Sequence, residues 1–146
     1  HLGIHPAILD LLDDRARAVE ADLGVDREAD DVAVVLCARG SSDPDANGDV
    51  HKLARLLYEG RAFSRAEAAF IGVTEPLLDG VLHTVAKSRP DAVVVLPYML
   101  GDGVLTGRIR DGAAAFDEAY PYVDAAADDP PPTDSLPLNV LANTRP

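Results

Sequence analysis

VAVVLCARGSSDPDAN, residues 32–47, runs from a continuous apolar stretch (Val32 to Leu36) through a Gly-Ser-Ser loop into a helical pattern. An apolar run without polar alternation reads as a strand buried on both faces, the pattern of a parallel sheet. In open α/β sheets ligands bind beyond the carboxyl ends of the strands, so the polar residues of this loop are the first candidates for function.

On the amino side, Ile8, Leu12, Ala16 and Val19 recur at helical spacing after Pro6, which predicts a helix over about 6–22. Asp22 to Asp31, with Gly24 and five acids, reads as a connector. On the carboxyl side a helix is expected over Ala46–Glu59, with Val50, Leu53, Ala54 and Leu57 inward and Gly60 as its stop. Ala66–Ile71 is a weaker second strand, and Thr74 is expected to cap a helix with Pro76 in its first turn and Leu78, Val81, Leu82 and Val85 inward. Asp91–Leu96 is the third strand, halted at Pro97, and a glycine-rich stretch leads to a last helix around Arg108–Ala119.

Three apolar strands alternating with amphipathic helices predict an α/β fold, a three-layer αβα arrangement with a doubly wound parallel sheet. The chain divides into a helix and connector (1–27), an α/β domain (28–120) and a proline-rich, largely disordered tail (121–146), in which only Leu138–Leu141 suits a short edge strand. If that fourth strand is missing, the sheet is incomplete at one edge and open to a second chain, so a homodimer or a partner half is expected.

The formal net charge of -12, from 25 acids against 13 Lys and Arg, argues against nucleic acid and anionic membranes as partners. Nineteen acids are Asp, and Lys52 and Lys87 are the whole lysine complement, a balance suited to a halophile's salt-rich interior. An acidic protein from an ordinary cell with a GC-rich genome is the alternative. Without a signal-like amino terminus, and with Cys37 alone, the expected compartment is the cytoplasm.

Arg39, Ser41 and Ser42 suit an anionic group, a carboxylate or a phosphate, beside the first turn of the following helix. The competing reading has Ser42 or Asp43 only capping the turn. DPDANG, 43–48, opens like a calcium loop, but Ala54 stands where the bidentate Glu belongs. His51 and His83 fall off the apolar faces of their helices; His5, in a Gly-Ile-His-Pro turn, is a candidate metal ligand, and Cys37 reads as a small buried hydrophobe. Glu75 and Tyr98 fall on the same rim as Arg39, Glu75 with a carboxylate that could face the shared cleft.

RGSSDPDANGDVHKLARLLYEG, AFIGVTEPLLDGV, and VVVLPYML followed by GVLTGRI resemble the second half of long sirohydrochlorin cobaltochelatases, the class II chelatases of cobalamin synthesis. The likeness runs from His1 to about Phe116, and the opening HLGIHPAILDLLDDR resembles the junction after a first half. It implies a doubly wound fold and insertion of Co²⁺, or the related Ni²⁺ or Fe²⁺, into a carboxylate-rich tetrapyrrole, with the metal as substrate and no resident cofactor. Arg39, Ser41, Ser42 and Tyr98 then bind substrate, Glu75 is catalytic, and His5 touches the metal. The catalytic half of such enzymes carries Gly-His-Gly-Ser, a Glu and a His after its successive strands; here Arg39, Gly72 and Val104 or Leu105 stand there. The alternative is therefore a non-catalytic tetrapyrrole-binding or scaffold half. A phosphate-ligand enzyme on the RGSS loop is a third, weaker reading, since no nucleophile or base completes it.

Overall fold

In the computed structural model, which describes residues 4–99, 104–125 and 139–142, the apolar run forms strand β1 (Val32–Ala38), buried along its whole length. Its neighbours are β2 (Arg65–Phe70) and β3 (Ala92–Tyr98), and β4 (Asn139–Ala142) lies beyond β3; all pairs are parallel, in the order β2-β1-β3-β4. Ala38 stands opposite both Phe70 and Tyr98, so three strands end level.

The fourth strand comes from the one tail segment with a strand pattern, so the edge of β3 is covered over Ala92–Val95. The rest of the expected disordered tail lies outside the described residues except for Pro121–Ala125, which belong to a helix. β3 runs on through Pro97 rather than stopping before it. Pro97 sits above the end of the β4 pairing, where a missing donor disturbs no ladder.

Helices α1 (Pro6–Leu23) and α2 (Pro44–Gly60) cover one face, and α3 (Leu78–Ala86) and α4 (Val104–Ala125) the other. Alternation along β1 divides the core: Val32, Val34 and Leu36 pack with Leu12, Ala16, Leu53 and Leu57, while Ala33, Val35 and Cys37 pack with Val81, Leu82, Ile109 and Ala113. The result is the expected three-layer, doubly wound α/β arrangement. α1, read from sequence as the end of a preceding half, lays Leu12, Ala16 and Val19 on the sheet.

Gly24 closes α1 in the left-handed conformation (φ 72), its N–H donating to Ala21 and that of Val25 to Glu20, the paired bonds of a Schellman end. At the end of α2 the left-handed position falls on Ala62 (φ 64), past the cap residue Arg61. A Cβ in that region costs about 1–2 kcal/mol, partly offset on substitution by glycine's greater unfolded freedom. Ala62→Gly is expected to raise stability by about 0.5–1 kcal/mol, read as a higher midpoint in a circular-dichroism melt; a lower midpoint would refute this.

Candidate functional site at the carboxyl ends of the strands

The chain leaves β1 for α2 on one face and leaves β3 for α4 on the other. Between these adjacent strands lies the switch point, the crevice in which open α/β sheets place ligands. Arg39, Gly40 and Ser41 border it from β1, and Tyr98 from β3.

The β1–α2 loop is built by its own side chains. Ser41 donates its N–H to Asn47 Oδ1 (2.9 Å), and Asn47 Nδ2 donates to the Ser41 carbonyl (2.7 Å). Ser41 Oγ accepts from the Asp43 N–H (3.0 Å), and Asp43 Oδ1 accepts from the Asp45 N–H (3.0 Å), capping α2 with Pro44 in its first turn. This is the capping arrangement in DPDANG, and no group of three His, Cys, Asp or Glu side chains fit for a metal occurs among the described residues. Ser42 and Arg39 are exposed, and the Arg39 guanidinium has no hydrogen bond or ion pair with a described residue. Asn47, which sequence reasoning passed over, locks the loop; its spacing of six from Ser41 was the available signal.

The neighbouring β2–α3 loop rests directly on this one. Ile71 donates its N–H to the Ala38 carbonyl (3.1 Å), and Gly40 (φ 91) faces the Gly72 backbone so closely that a Cβ there would fall 2.2 Å from the Gly72 oxygen. Thr74 does not cap a helix: α3 begins at Leu78 with Leu77 as an N-cap without a side-chain bond. The cause is tertiary. The Phe70 N–H donates to the Pro76 carbonyl (2.9 Å), and Phe70 and Leu77 form an isolated bridge, which holds the segment extended. Glu75 is exposed on this loop, with Oε2 accepting from the Leu77 N–H (3.0 Å).

Tyr98 is half-buried, and burial first, then the Asp49 carboxylate of α2, push its phenol above the usual value. Burial pushes the Cys37 thiol up to about 12, so it stays protonated and packs as a hydrophobe. His5 is the N-cap of α1, its Nδ1 accepting from the Ala7 N–H (3.1 Å). In the neutral ring that bond leaves the proton on Nε2, so a metal reaches His5 only when the cap opens. His51 and His83 are exposed, resting against Phe70 and Phe116. The structure thus gathers Arg39, Ser41, Ser42, Glu75 and Tyr98 on one rim, while His5 caps the start of α1.

The family description CbiX matches residues 33–142. A sirohydrochlorin cobaltochelatase of Priestia megaterium is 39% identical over 110 residues, covering 75% of this chain and 35% of that protein. A sirohydrochlorin ferrochelatase of the same organism is 31% identical over 109 residues, covering 75% and 39%. The chain thus spans little more than a third of the length of these two curated relatives. Among solved structures, SirB from Bacillus subtilis with Fe3+ superposes with a TM-score of 0.68 at 28% identity, over 80% of this chain and 44% of that one.

Proposed function

The chain belongs to the CbiX family, and on that premise we propose that it serves insertion of a divalent metal into a sirohydrochlorin-type tetrapyrrole, Co²⁺ first, with Fe²⁺ and Ni²⁺ as the other candidates. The higher identity to the cobaltochelatase than to the ferrochelatase supports that order. The observation that carries the proposal is Arg39, an exposed guanidinium without a described partner at the switch point of a chelatase-family sheet. It suits a macrocycle carboxylate, with two N–H donors in parallel. Ser42 adds a hydroxyl, and Ser41 helps mainly by shaping the loop.

Metal insertion expels pyrrole protons, and Glu75 is an exposed carboxylate on this rim able to take one. The half-buried Tyr98 borders the substrate from the end of β3. His5 joins as a metal contact through Nε2 when its cap opens.

A second reading has the chain holding the tetrapyrrole while a second copy or a catalytic half handles the metal. The absence of a metal-holding triple among the described residues favours it. In both readings the acidic, lysine-poor chain works in the salt-rich cytoplasm of a halophile.

The test is absorbance-monitored Co²⁺ insertion into sirohydrochlorin in molar potassium chloride, with the chain alone against a no-protein control. Acceleration supports a self-sufficient enzyme; a bound tetrapyrrole without acceleration supports the holding half. Arg39→Gln is expected to weaken binding about tenfold, the worth of a charge-assisted hydrogen bond. No spectral change on mixing would refute both readings.

A further inference from the structure

Large apolar side chains exposed singly on a surface are ordinary. Val73, 68% exposed, and Val104, 83% exposed, stand out by where they are and, for Val73, by its backbone. Val73 lies on the loop after β2, and Val104 opens α4 after β3. Since β1 runs between β2 and β3, Val73 and Val104 follow the strands on either side of the one that leads to Arg39, with two strand spacings, about 10 Å, between those outer strands. The approach of Gly40 to Gly72 brings together the two loops that carry Arg39 and Val73. Val73 also has φ 67, a left-handed conformation that β-branched residues rarely adopt, and its side chain gains no burial in return.

Resting on the tetrapyrrole reading above, we infer that Val73 and Val104 are positioning residues that grip the apolar face of the macrocycle while Arg39 holds a carboxylate at its edge. The charge balance favours this division of labour. A chain of net charge -12 repels a polycarboxylate at long range. Molar salt screens that repulsion, with a Debye length of about 3 Å at 1 M, but weakens an exposed Arg39 pair as well. Contact between apolar surfaces is the part of the affinity that such salt leaves standing or strengthens. A compact inorganic or sugar phosphate would use Arg39 and leave both valines idle; a flat macrocycle with carboxylates at its edge uses all three.

The experiment titrates metal-free sirohydrochlorin into the full chain, read by absorbance, at potassium chloride concentrations from about 1 to 3 M. Wild-type affinity is expected to hold or rise across this range. Val73→Asn places a residue at ease with positive φ in the loop, so its thermal midpoint should be equal or higher while affinity falls about five- to twentyfold. Val104→Ser is expected to lose about fivefold. Opposite movement of stability and affinity at position 73 separates a ligand contact from a folding role. If Arg39→Gln weakens binding but both valine variants bind like wild type, or if affinity collapses as salt rises, the apolar grip is refuted and the tetrapyrrole reading stands. If the wild type binds no sirohydrochlorin, the functional reading itself falls.

Discussion

Arg27→Met is expected to cost about 3–5 kcal/mol of folding stability, the penalty for leaving buried carboxylates without their cation. The Arg27 side chain is fully buried, and its Nε and Nη2 donate to the two carboxylate oxygens of Glu20 at 2.7 and 2.9 Å, a bidentate pair. Nη1 donates to Asp13 Oδ1 and to the Arg61 carbonyl (3.1 Å), and the guanidinium lies 4.1 Å from the centre of the Phe63 ring. One side chain therefore ties α1 to the end of α2 and to the segment leading into β2. The value of the cluster lies in its completeness, because well-packed apolar replacements of a whole buried ion group are often neutral or better. The variant Asp13→Leu/Glu20→Leu/Arg27→Met should accordingly recover most of what Arg27→Met loses. Urea unfolding in molar potassium chloride, followed by circular dichroism, reads both; a single variant within about 1 kcal/mol of wild type would show that water already compensates these carboxylates.

That cluster marks where sequence reasoning stopped. β1 and β3 were legible because central parallel strands, buried on both faces, are apolar at every position. The edge strand β2 was fainter, since its outer half carries Arg65 and Glu67, paired with each other at 2.8 Å. The stretch Asp22–Asp31 read as a connector with five acids, and nothing local distinguishes its one arginine from a surface residue. A signal did exist on α1: Asp13 and Glu20 fall on the same side as Leu12, Ala16 and Val19, and two acids within a buried stripe demand a cation.

The start of α3 failed for a different reason. Thr-Glu-Pro is sound capping chemistry, but it was overridden by the pull of Phe70 on Pro76 and Leu77, a tertiary contact. α4 begins at Val104, four residues before Arg108, because Gly107, which read as loop, is tolerated within a helix packed on the sheet. For the site, a parallel sheet alone predicted that Arg39, Glu75 and Tyr98, at the carboxyl ends of their strands, share a rim. What it could not supply was the contact between residues 40 and 72, which are distant in sequence and meet only because β1 and β2 are neighbours.

On that contact rests the other large effect. Gly40→Ala is expected to lower stability by about 2–4 kcal/mol, from a Cβ at positive φ together with overpacking. The added atom would sit 2.2 Å from the Gly72 oxygen and 3.3 Å from Thr74 Cγ2, with φ 91 at the residue itself. The first of these neighbours is backbone, so relief requires the two loops to part rather than a side chain to turn. The loop of Arg39 is braced from within by the Ser41–Asn47 bonds, so it moves as a unit and carries Arg39 away from Val73. Tetrapyrrole affinity should then fall about tenfold or more, as displacement of a positioned group by about 1 Å commonly does. Gly72→Ala is the control, because a Cβ there meets nothing within 4 Å, and it is expected to leave both stability and binding close to wild type. Equal losses in the two variants would locate the effect in general loop flexibility; a loss confined to Gly40 places it in the close approach of the two backbones, which sets the spacing between the guanidinium and the apolar side of the crevice.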